Sequence, residues 1–386
     1  MGLPDLKLAV ATAGTFGPVD TDSQDYVGTR RALRLAANGV GLVSPNPLVG
    51  SVIYSSQGEI VGEGTYIKDN VDHAEVIALA EAASKAIGGT AYVSLEPHDH
   101  HGKTPPCTEA LINAGIKRVV CPIEDPNPLV SGKGFQRLRE AGIEVSVGLL
   151  ADEAAKLNEK FICWHKKGRP FVHLKLAMSL DGRISLNKSV STALSGEAAR
   201  ARVQELRHEY DAILVGSNTA VTDNPSLTDR SGLPRRRPLA RVILDNRLRL
   251  PLDAALATTT DEAPTLVFTN NIDPEDVFPL TDKGVDVIPI EGGARNLEAV
   301  LNELYKRDIQ SVLVEGGTGV AGAFIDARLV DKTTLVYAPL IIGGSEAPVA
   351  VGGKGAESLA DAFHLVDVSV TPYDSDIEIT GYPQQA

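Results

Sequence analysis

Hydrophobic and polar positions along the chain follow two patterns in turn. Short apolar runs, typical of buried strands, are separated by stretches in which apolar residues recur every three or four positions, as on one face of a helix. In the first half, the predicted strands are 49–54, 91–95, 118–121 and 144–147, and the predicted helices are 26–39, 73–85, 107–114 and 133–141. This alternation predicts a three-layer α/β domain, with a sheet between two layers of helices.

The alternation restarts near residues 167–170, after a connecting helix that is predicted over 152–166. Beyond this point the predicted strands are 171–177, 212–215, 241–244, 265–268, 285–289 and 311–314, and the predicted helices are 196–209, 296–307 and 321–326. A chain of 386 residues also exceeds the size at which a single core keeps growing. We therefore expect an N-terminal extension over 1–21, a first domain over 22–167 and a second domain over 168–386.

Charge and composition narrow the range of partners. The net charge of -13 provides no basic surface to neutralise a nucleic acid backbone. The sequence contains no run of about 18 apolar residues, and its first apolar stretch, 6–13, has no basic leader. The three cysteines, Cys107, Cys121 and Cys163, are too few and too irregular for a disulfide framework. We expect a cytoplasmic protein that acts on a small molecule, without nucleic acid or membrane partners.

Three short motifs of the first domain lie at predicted strand-to-helix junctions. They are His73-Ala74-Glu75, Glu96-Pro97-His98 and Pro105-Pro106-Cys107. Such junctions are the places where α/β folds bind ligands. Histidine, cysteine and glutamate together are also the residue types that a zinc-dependent deaminase needs, because its site combines protein ligands, an open position for water and a carboxylate that moves protons.

The residues themselves allow roles to be assigned within such a site. His73 would bind the ion, and Glu75 would take a proton from the attacking water and deliver it to the leaving amine. Cys107 opens a predicted helix, where the positive end of the helix dipole favours the thiolate. The simpler interpretation is a capped helix beside a buried thiol, without a metal.

These motifs extend into a longer pattern that resembles a known family. Together with Pro45-Asn46-Pro47, the run from His100 to Thr104, and Asp125-Pro126-Asn127-Pro128, they resemble the bifunctional riboflavin-biosynthesis deaminase/reductase family. The resemblance covers essentially the whole chain after residue 20. It implies a cytidine-deaminase-like first domain that uses Zn2+ to deaminate a diaminopyrimidinone ribosylamino 5'-phosphate by hydrolysis.

The family resemblance also implies contacts with the substrate in the first domain. Asn46 would contact the base, and His100 and Lys103 would contact the ring edge or the phosphate. A proline-flanked asparagine and a His-His-Gly-Lys run are otherwise common as a turn and a solvated loop. The family further implies a homo-oligomer.

One position departs from the family pattern, which places a cysteine where this chain has His98. Imidazole is a competent zinc ligand, so two histidines and one cysteine still leave an open position. We hypothesise that the zinc ligands are His73, His98 and Cys107. The alternative is a metal-free first domain, which would leave a monofunctional reductase.

The second half lacks a Gly-x-Gly-x-x-Gly signature after a strand, so the standard dinucleotide-binding fold is not supported. Instead, Glu315-Gly316-Gly317-Thr318-Gly319 follows the predicted strand 311–314 and precedes a predicted helix. Backbone amides at the start of a helix suit a pyrophosphate. A tight turn that binds no ligand is an equally good interpretation of the loop alone.

Four segments of the second half resemble the family's reductase domain, whose fold is similar to that of dihydrofolate reductase. The segments are 173–182, Leu206-Arg207, Thr219 with 223–230, and the loop that begins at Glu315. The resemblance implies that NADPH reduces the ribosyl group of the deaminated product to ribityl. The implied substrate-binding residues are Lys175, Ser191, Arg207, Leu227, Arg230 and Glu315. The implied cofactor-binding residues are Ala177, Thr219, Asp223, Gly316, Gly317, Thr318 and Gly319, and Ala193 stands where the family can have a tryptophan.

For three of these residues, the position in the sequence alone favours or disfavours a functional role. Lys175 lies inside an apolar strand, where a lysine costs desolvation free energy unless it has an anionic partner, and this favours a functional role. Arg207 on a charged helix and Asp223 before Asn-Pro are common, by contrast, as a solvated side chain and a turn cap. A nucleic-acid-editing deaminase is the rival class of enzyme, and the acidic composition disfavours it.

Overall fold

The computed structural model describes residues 20–100, 105–187 and 192–384. These residues form two sheets, of five and nine strands, that follow one another along the chain. Helices alternate with strands in both parts, so the α/β class expected from the sequence is confirmed. Within the described ranges, no helix is both long and apolar enough to cross a bilayer.

The first sheet contains five strands in an order that differs from the chain order. The strands are β1 (Gly50–Tyr54), β2 (Ile60–Thr65), β3 (Thr90–Val93), β4 (Arg118–Cys121) and β5 (Glu144–Val147). They lie in the order β2-β1-β3-β4-β5. Strand β1 runs antiparallel to β2 and β3, whereas β3, β4 and β5 are parallel. The carboxyl ends of the parallel strands therefore meet at one edge, where ligand sites form in such sheets.

Helices cover both faces of the first sheet. They are α1 (Gln24–Ala37), α2 (Ala74–Ala82), α3 (Cys107–Asn113) and α4 (Lys133–Glu140). Neighbouring strand residues point to opposite faces. Val52 and Tyr92 pack with Ala32 of α1, whereas Ile53 and Val93 pack with residues of α2, α3 and α4. The first domain thus has the three layers that the sequence pattern predicts.

Strand β2 is absent from the predicted elements because Gly62 and Gly64 weaken its strand signal. The structure gives a reason for both glycines. A Cβ atom at Gly62 would lie 2.0 Å from the carbonyl oxygen of Ala78, and one at Gly64 would lie 2.1 Å from that of Ala74. The two glycines therefore let α2 lie directly against β2.

The connecting helix predicted over 152–166 is in fact two helices, α5 (Ala151–Leu157) and α6 (Glu159–Lys167). The break is at the buried Asn158. Its Oδ1 accepts a hydrogen bond from the Leu48 N–H (2.9 Å), and its Nδ2 donates to the Leu48 carbonyl (3.0 Å). The prediction of one continuous helix was wrong because the partner of Asn158 lies 110 residues away in the sequence.

The second sheet contains nine strands. They are β6 (Phe171–Ser179), β7 (Ala212–Gly216), β8 (Ala240–Leu244), β9 (Thr265–Thr269), β10 (Asp286–Pro289), β11 (Ser311–Val314), β12 (Lys332–Ala338), β13 (Leu365–Tyr373) and β14 (Asp376–Pro383). Their order is β10-β9-β8-β7-β11-β6-β12-β14-β13. The strands are parallel from β10 to β12, and β14 is antiparallel to both of its neighbours.

Helices also pack on the second sheet, and its core has two sides. The helices are α7 (Glu197–His208), α8 (Ser217–Asp223), α9 (Ala255–Thr258), α10 (Pro274–Asp282), α11 (Leu297–Lys306) and α12 (Thr318–Asp326). Leu214 belongs to the apolar cluster that contains Leu301 of α11 and Phe324 of α12. The next strand residue, Ile213, belongs to a separate cluster with Leu256 of α9.

Strands β6 to β11 lie where the apolar runs predict them, but β12 to β14 and helices α8 to α10 are not among the predicted elements. A signal for β13 exists in the sequence, since Val366, Val368 and Val370 alternate with polar residues. In the structure these valines are 43%, 51% and 63% exposed. Strand β13 is the outer strand of its sheet, and its exposed valines form an apolar surface on it.

Candidate active sites

Three side chains with zinc-binding chemistry meet at the edge of the first sheet. His73 immediately precedes α2, Cys107 is the first residue of α3, and His98 lies between β3 and α3. One potential ligand atom from each side chain lies within 4.8 Å of the others. The ring centroids of His73 and His98 are 4.5 Å apart. The structure therefore brings together the three residues that the sequence analysis assigns to zinc.

The chemistry of this donor set fits a divalent zinc ion. Burial, together with the neighbouring rings of His73 and His100, lowers the pKa of His98 to about 4, so its imidazole is neutral at pH 7 and keeps a lone pair for a metal. Burial and the nearby Glu75 carboxylate raise the pKa of the Cys107 thiol well above its usual range. This direction is opposite to the one expected from the helix dipole. A thiolate at Cys107 therefore requires a cation beside it.

Glu75 lies on the first turn of α2 next to this cluster. Its side chain is buried, with the residue 3% exposed, and its Oε2 has no hydrogen-bond partner among the described residues. Burial raises the pKa of Glu75, while His73 and a hydrogen bond with Cys107 act in the opposite direction. A buried carboxyl with one unpaired oxygen beside the cluster can accept a proton and return it.

Asn46 is connected to the metal-binding cluster through Tyr66. Its Nδ2 donates a hydrogen bond to the Tyr66 hydroxyl (2.7 Å), and the Tyr66 ring lies against His73, with the centroids 5.1 Å apart. The sequence analysis missed Tyr66. It is the residue after β2, and β2 itself is not predicted by the pattern.

The other two predicted substrate contacts of the first domain are His100 and Lys103. His100 is exposed, and its ring centroid lies 5.0 Å from that of His98. His100 is therefore at the open side of the cluster, where a substrate would approach. Lys103 lies outside the described residues.

Glu96, two residues before His98, has a structural role that the sequence analysis did not assign. Its carboxylate is buried, and four backbone N–H groups donate to it, those of Asp125 (3.0 Å), Gly132 (2.9 Å), Gly134 (2.9 Å) and Phe135 (3.3 Å). An ionised carboxylate can accept about this many hydrogen bonds. Glu96 therefore holds the segment before α4 and is not a metal ligand.

In the second domain, three of the predicted substrate-binding residues form a buried charged cluster. Arg207 on α7 donates from Nε and Nη2 to the two carboxylate oxygens of Glu315, at 2.9 and 3.0 Å. Lys175 on β6 is buried close to them. Burial lowers the pKa of Lys175, and Glu315 acts against this effect. The negative charge of Glu315 therefore favours the charged form of Lys175, as expected for an anionic neighbour of a buried lysine.

The segment after α8 lies beside this charged cluster. Leu227 is buried with a φ of 49°, and the neighbouring Thr228 carbonyl accepts a hydrogen bond from Nη1 of Arg207 (3.1 Å). Arg230 is exposed, and its backbone N–H donates to Oε1 of Gln204 on α7 (3.0 Å). The Arg230 side chain is therefore at the surface near the cluster rather than inside it.

A cleft of ≈ 700 Å³ lies at the carboxyl ends of β7, β8 and β11. This volume is typical of a small-molecule site. Five of the predicted cofactor-binding residues line it, namely Thr219, Asp223, Gly317, Thr318 and Gly319. Ala177, which is half-buried on β6, and Gly316 are not among the lining residues. Ala193 is exposed, and Ser191 lies outside the described residues.

The glycines of the loop before α12 serve different purposes. A Cβ atom at Gly316 would lie 2.5 Å from the Cβ of Val320, so packing requires a glycine there. A Cβ at Gly317 would lie 3.6 Å from Oγ1 of Thr219, an ordinary contact, and one at Gly319 would meet nothing within 4 Å. Gly317 and Gly319 therefore leave the backbone at the start of α12 open to the cleft, as a phosphate group requires.

Two arginines that the sequence analysis did not single out, Arg183 and Arg249, line the same cleft. Nη2 of Arg249 donates to Oδ1 of Asn218 on α8 (2.7 Å), and its backbone N–H donates to Asp245 (2.6 Å). Both arginines add positive charge where an anionic cofactor would lie. No motif identifies Arg249, because it follows β8 in a segment without regular periodicity.

Comparison with known proteins matches both parts of the chain. Residues 22–123 match the family model described as the cytidine and deoxycytidylate deaminase zinc-binding region. Residues 170–379 match the model of the RibD C-terminal domain. The riboflavin biosynthesis protein RibD of Bacillus amyloliquefaciens is 42% identical over 360 residues, which cover 93% of this chain and 96% of that protein. The Escherichia coli protein of the same name is 40% identical over 351 residues, which cover 88% and 94%.

Solved structures agree over the same length. RibD of Acinetobacter baumannii matches with a TM-score of 0.83 and 38% identity, covering 94% of this chain and 99% of that one. A diaminohydroxyphosphoribosylaminopyrimidine deaminase/5-amino-6-(5-phosphoribosylamino)uracil reductase from Thermotoga maritima matches with a TM-score of 0.81 and 37% identity, with the same coverage. The similarity therefore extends across both sheets.

Proposed function

The chain belongs to the bifunctional riboflavin-biosynthesis deaminase/reductase family, and we propose which of its residues perform the two reactions. It is an enzyme of riboflavin biosynthesis that deaminates a diaminopyrimidinone ribosylamino 5'-phosphate and then reduces the ribosyl group of the product to ribityl. It uses Zn2+ and NADPH. The matches cover both domains, which favours this activity over a reductase with a metal-free first domain.

For the deamination, His73, His98 and Cys107 hold the zinc ion, which when bound activates the attacking water. Glu75 accepts a proton from that water at its unpaired oxygen and delivers it to the leaving amine. Asn46 orients the base, and His100 and Lys103 contact the ring edge or the phosphate. The support for this assignment is the convergence of the three ligand atoms within 4.8 Å beside a buried carboxyl.

For the reduction, NADPH supplies the hydride, and the protein aligns the cofactor with the sugar. We assign NADPH to the cleft lined by Thr219, Asp223, Gly317, Thr318 and Gly319, with Ala177 and Gly316 behind it. Lys175, Arg207 and Glu315 contact the substrate from the buried side, and Arg207 and Arg230 are the residues suited to its 5'-phosphate. Ser191, Leu227 and Arg230 complete the substrate-binding residues in this proposal.

The proposal includes four further properties of the protein. The division into an extension over 1–21 and domains over 22–167 and 168–386 is supported by the change of sheet after α6. A homo-oligomer is supported by the apolar outer edge of β13. A cytoplasmic location is supported by the free, buried cysteines, and the absence of nucleic acid partners by the net charge of -13.

The experiment that tests the two-site assignment measures the reactions separately on purified full-length protein. Ammonia release is followed with the diaminopyrimidinone nucleotide, and NADPH oxidation is followed with the deaminated nucleotide. We expect Glu75→Gln to lower the rate of ammonia release by about 10²- to 10⁴-fold, the usual contribution of a general acid-base group. Zinc content and NADPH oxidation should stay at the wild-type level. Ammonia release that persists in Glu75→Gln would remove Glu75 from the mechanism.

A further inference from the structure

The loop that carries Asn46, residues 41–46, is held by the second domain. Arg236 donates its backbone N–H to the Gly41 carbonyl (2.9 Å) and its Nη2 to the Ser44 carbonyl (2.8 Å). Nη2 of Arg237 donates to Oγ of Ser44 (3.2 Å). Nε2 of Gln310 donates to the carbonyl of Pro45, the residue just before Asn46, at 2.6 Å.

The donors are themselves firmly placed in the second domain. Gln310 is 5% exposed and immediately precedes β11. Its backbone N–H donates to Oδ2 of Asp211 (3.0 Å), and its carbonyl accepts from the N–H of Phe171 in β6 (2.9 Å). Nη2 of Arg237 also bonds Asp211 (3.2 Å) and the Asp308 carbonyl (2.9 Å). The loop is therefore fixed to the amino-terminal ends of β6 and β11 in the second sheet.

The other side of the loop is fixed by the connecting helices. Asn158, at the break between α5 and α6, bonds both backbone groups of Leu48, which follows the loop. Asn46 is thus held between Gln310 on one side and Asn158 on the other. Neither partner belongs to the sheet that carries the metal-binding cluster.

The loop is connected to the deaminase site by short contacts. Nδ2 of Asn46 bonds the Tyr66 hydroxyl at 2.7 Å, and the Tyr66 ring lies against His73. The Ser44 carbonyl that Arg236 bonds lies two residues before Asn46. A residue of the reductase domain therefore holds the backbone beside the side chain that bonds Tyr66.

We infer that Gln310 and Arg236 are positioning residues for the deamination, because they fix the backbone on which Asn46 presents its amide to the base. This inference rests on the proposed contact between Asn46 and the base. A binding group works only when its support is rigid, and small displacements of such groups cost large factors in rate. The docked second domain thus completes the first active site in addition to holding its own.

The test measures ammonia release and NADPH oxidation separately for full-length Gln310→Met and Arg236→Met. Methionine matches the length of glutamine and the aliphatic part of arginine, but its side chain donates no hydrogen bond. We expect the KM for the deaminase substrate to rise roughly 10-fold, with kcat within about 2-fold, because the base contact is loosened while Glu75 and the metal ligands stay in place. NADPH oxidation and zinc content should be unchanged. Arg236→Lys can still donate to the Ser44 carbonyl, so its KM should rise less than that of Arg236→Met.

Two reference variants make the result decisive. Lys332→Met removes another contact of the second domain, the 3.0 Å bond to Glu159 on α6, without touching the loop, and it should leave the deaminase KM unchanged. Asn46→Ala reports the proposed base contact itself. A raised KM in Asn46→Ala with wild-type values in Gln310→Met and Arg236→Met overturns the positioning role alone. A wild-type KM in Asn46→Ala overturns the proposed contact.

An equal rise in the deaminase KM of Lys332→Met would also overturn the inference. It would show that any weakening of the contact between the domains raises the KM. Urea unfolding of each variant identifies one that fails to fold. In that case Gln310→Glu serves instead. Its carboxylate has the same shape as the native amide but cannot donate to Pro45, and it should give the same rise in KM.

Discussion

Arg207 and Glu315 bind one another through two parallel hydrogen bonds of 2.9 and 3.0 Å, with side chains only 12% and 13% exposed. The sequence analysis assigned both residues to the substrate, but it did not foresee that they pair. Although burial raises the pKa of Glu315, Arg207 and Lys175 outweigh this and hold it below its usual value. In the proposed contact, the substrate phosphate would therefore meet an arginine whose orientation is already fixed.

This pair leads to a prediction about stability and activity together. Arg207→Met leaves the Glu315 carboxylate buried without its main partner, so the free energy of unfolding should fall by about 3 kcal/mol. The double variant Arg207→Met/Glu315→Met should regain stability but not NADPH oxidation. Urea unfolding and the reductase assay measure the two effects. The exposed Arg247→Met is the matched control, and a double variant with full reductase activity would contradict the assignment.

The identity of the third zinc ligand can be decided by metal analysis. His98→Ala should lower the zinc content of the purified protein, because two protein ligands hold the ion poorly. His98→Cys restores the donor type of the family and should retain both zinc and ammonia release. His100→Ala removes a neighbouring exposed imidazole and should keep the zinc. Full zinc content in His98→Ala would show that His98 is not a ligand.

Adjacent glycines in the loop before α12 allow packing to be tested separately from the proposed cofactor binding. Gly316→Ala places a Cβ against Val320 and should lower the free energy of unfolding by about 1–3 kcal/mol. Gly317→Ala makes only an ordinary contact with Thr219, so its stability should be close to wild type while its KM for NADPH rises several-fold. Thermal unfolding and NADPH titration distinguish the two. An unchanged KM in Gly317→Ala would place the cofactor elsewhere.

A pH-dependent contribution to stability is expected at the start of the second domain. Asp331 accepts hydrogen bonds from Arg169 (2.6 and 2.9 Å) and Lys167 (2.6 Å). Although burial raises the pKa of Asp331, these cations outweigh it and hold the folded value below the usual one. A lowered folded pKa means that the stabilisation is complete above the unfolded pKa of about 3.9. It is lost as the pH falls through the folded pKa.

Asp331→Asn tests this expectation. The variant should be less stable than wild type by about 3 kcal/mol at pH 7, and the difference should shrink as the pH falls below about 4. Urea unfolding at pH 7, 5, 4 and 3 measures it. The exposed Asp253→Asn should match wild type throughout, and a difference for Asp331→Asn that does not depend on pH would contradict the role of its charge.

The sequence predicted the elements with local signals and missed those that depend on distant partners. The apolar runs located β6 to β11, and the spacing of His73, His98 and Cys107 predicted a cluster before any geometry was known. Strand β2 was not predicted because its glycines are required by the close packing of α2. The break between α5 and α6 was not predicted because it depends on the hydrogen bond between Asn158 and Leu48. Strands β13 and β14 did have an alternating signal, which the interpretation overlooked.

The candidate sites show the same division between local and distant information. Family resemblance supplied the residues, but no pattern along the chain shows that Tyr66 lies against His73, or that Arg249 faces the cleft. Nor does it show that Gly316 serves packing whereas Gly317 faces the cleft proposed for NADPH. Such roles depend on which elements become neighbours after folding, and this is decided by tertiary packing.

The carboxylate of Glu96 connects the start of α4 with the proposed metal site. It accepts hydrogen bonds from two amides between β4 and α4 and from two in the first turn of α4, and it lies two residues before the proposed metal ligand His98. The same short stretch of chain therefore orders the start of α4 and carries the imidazole. A chain that lost this carboxyl group would keep every proposed ligand in its sequence and still lack a pocket in which to assemble them.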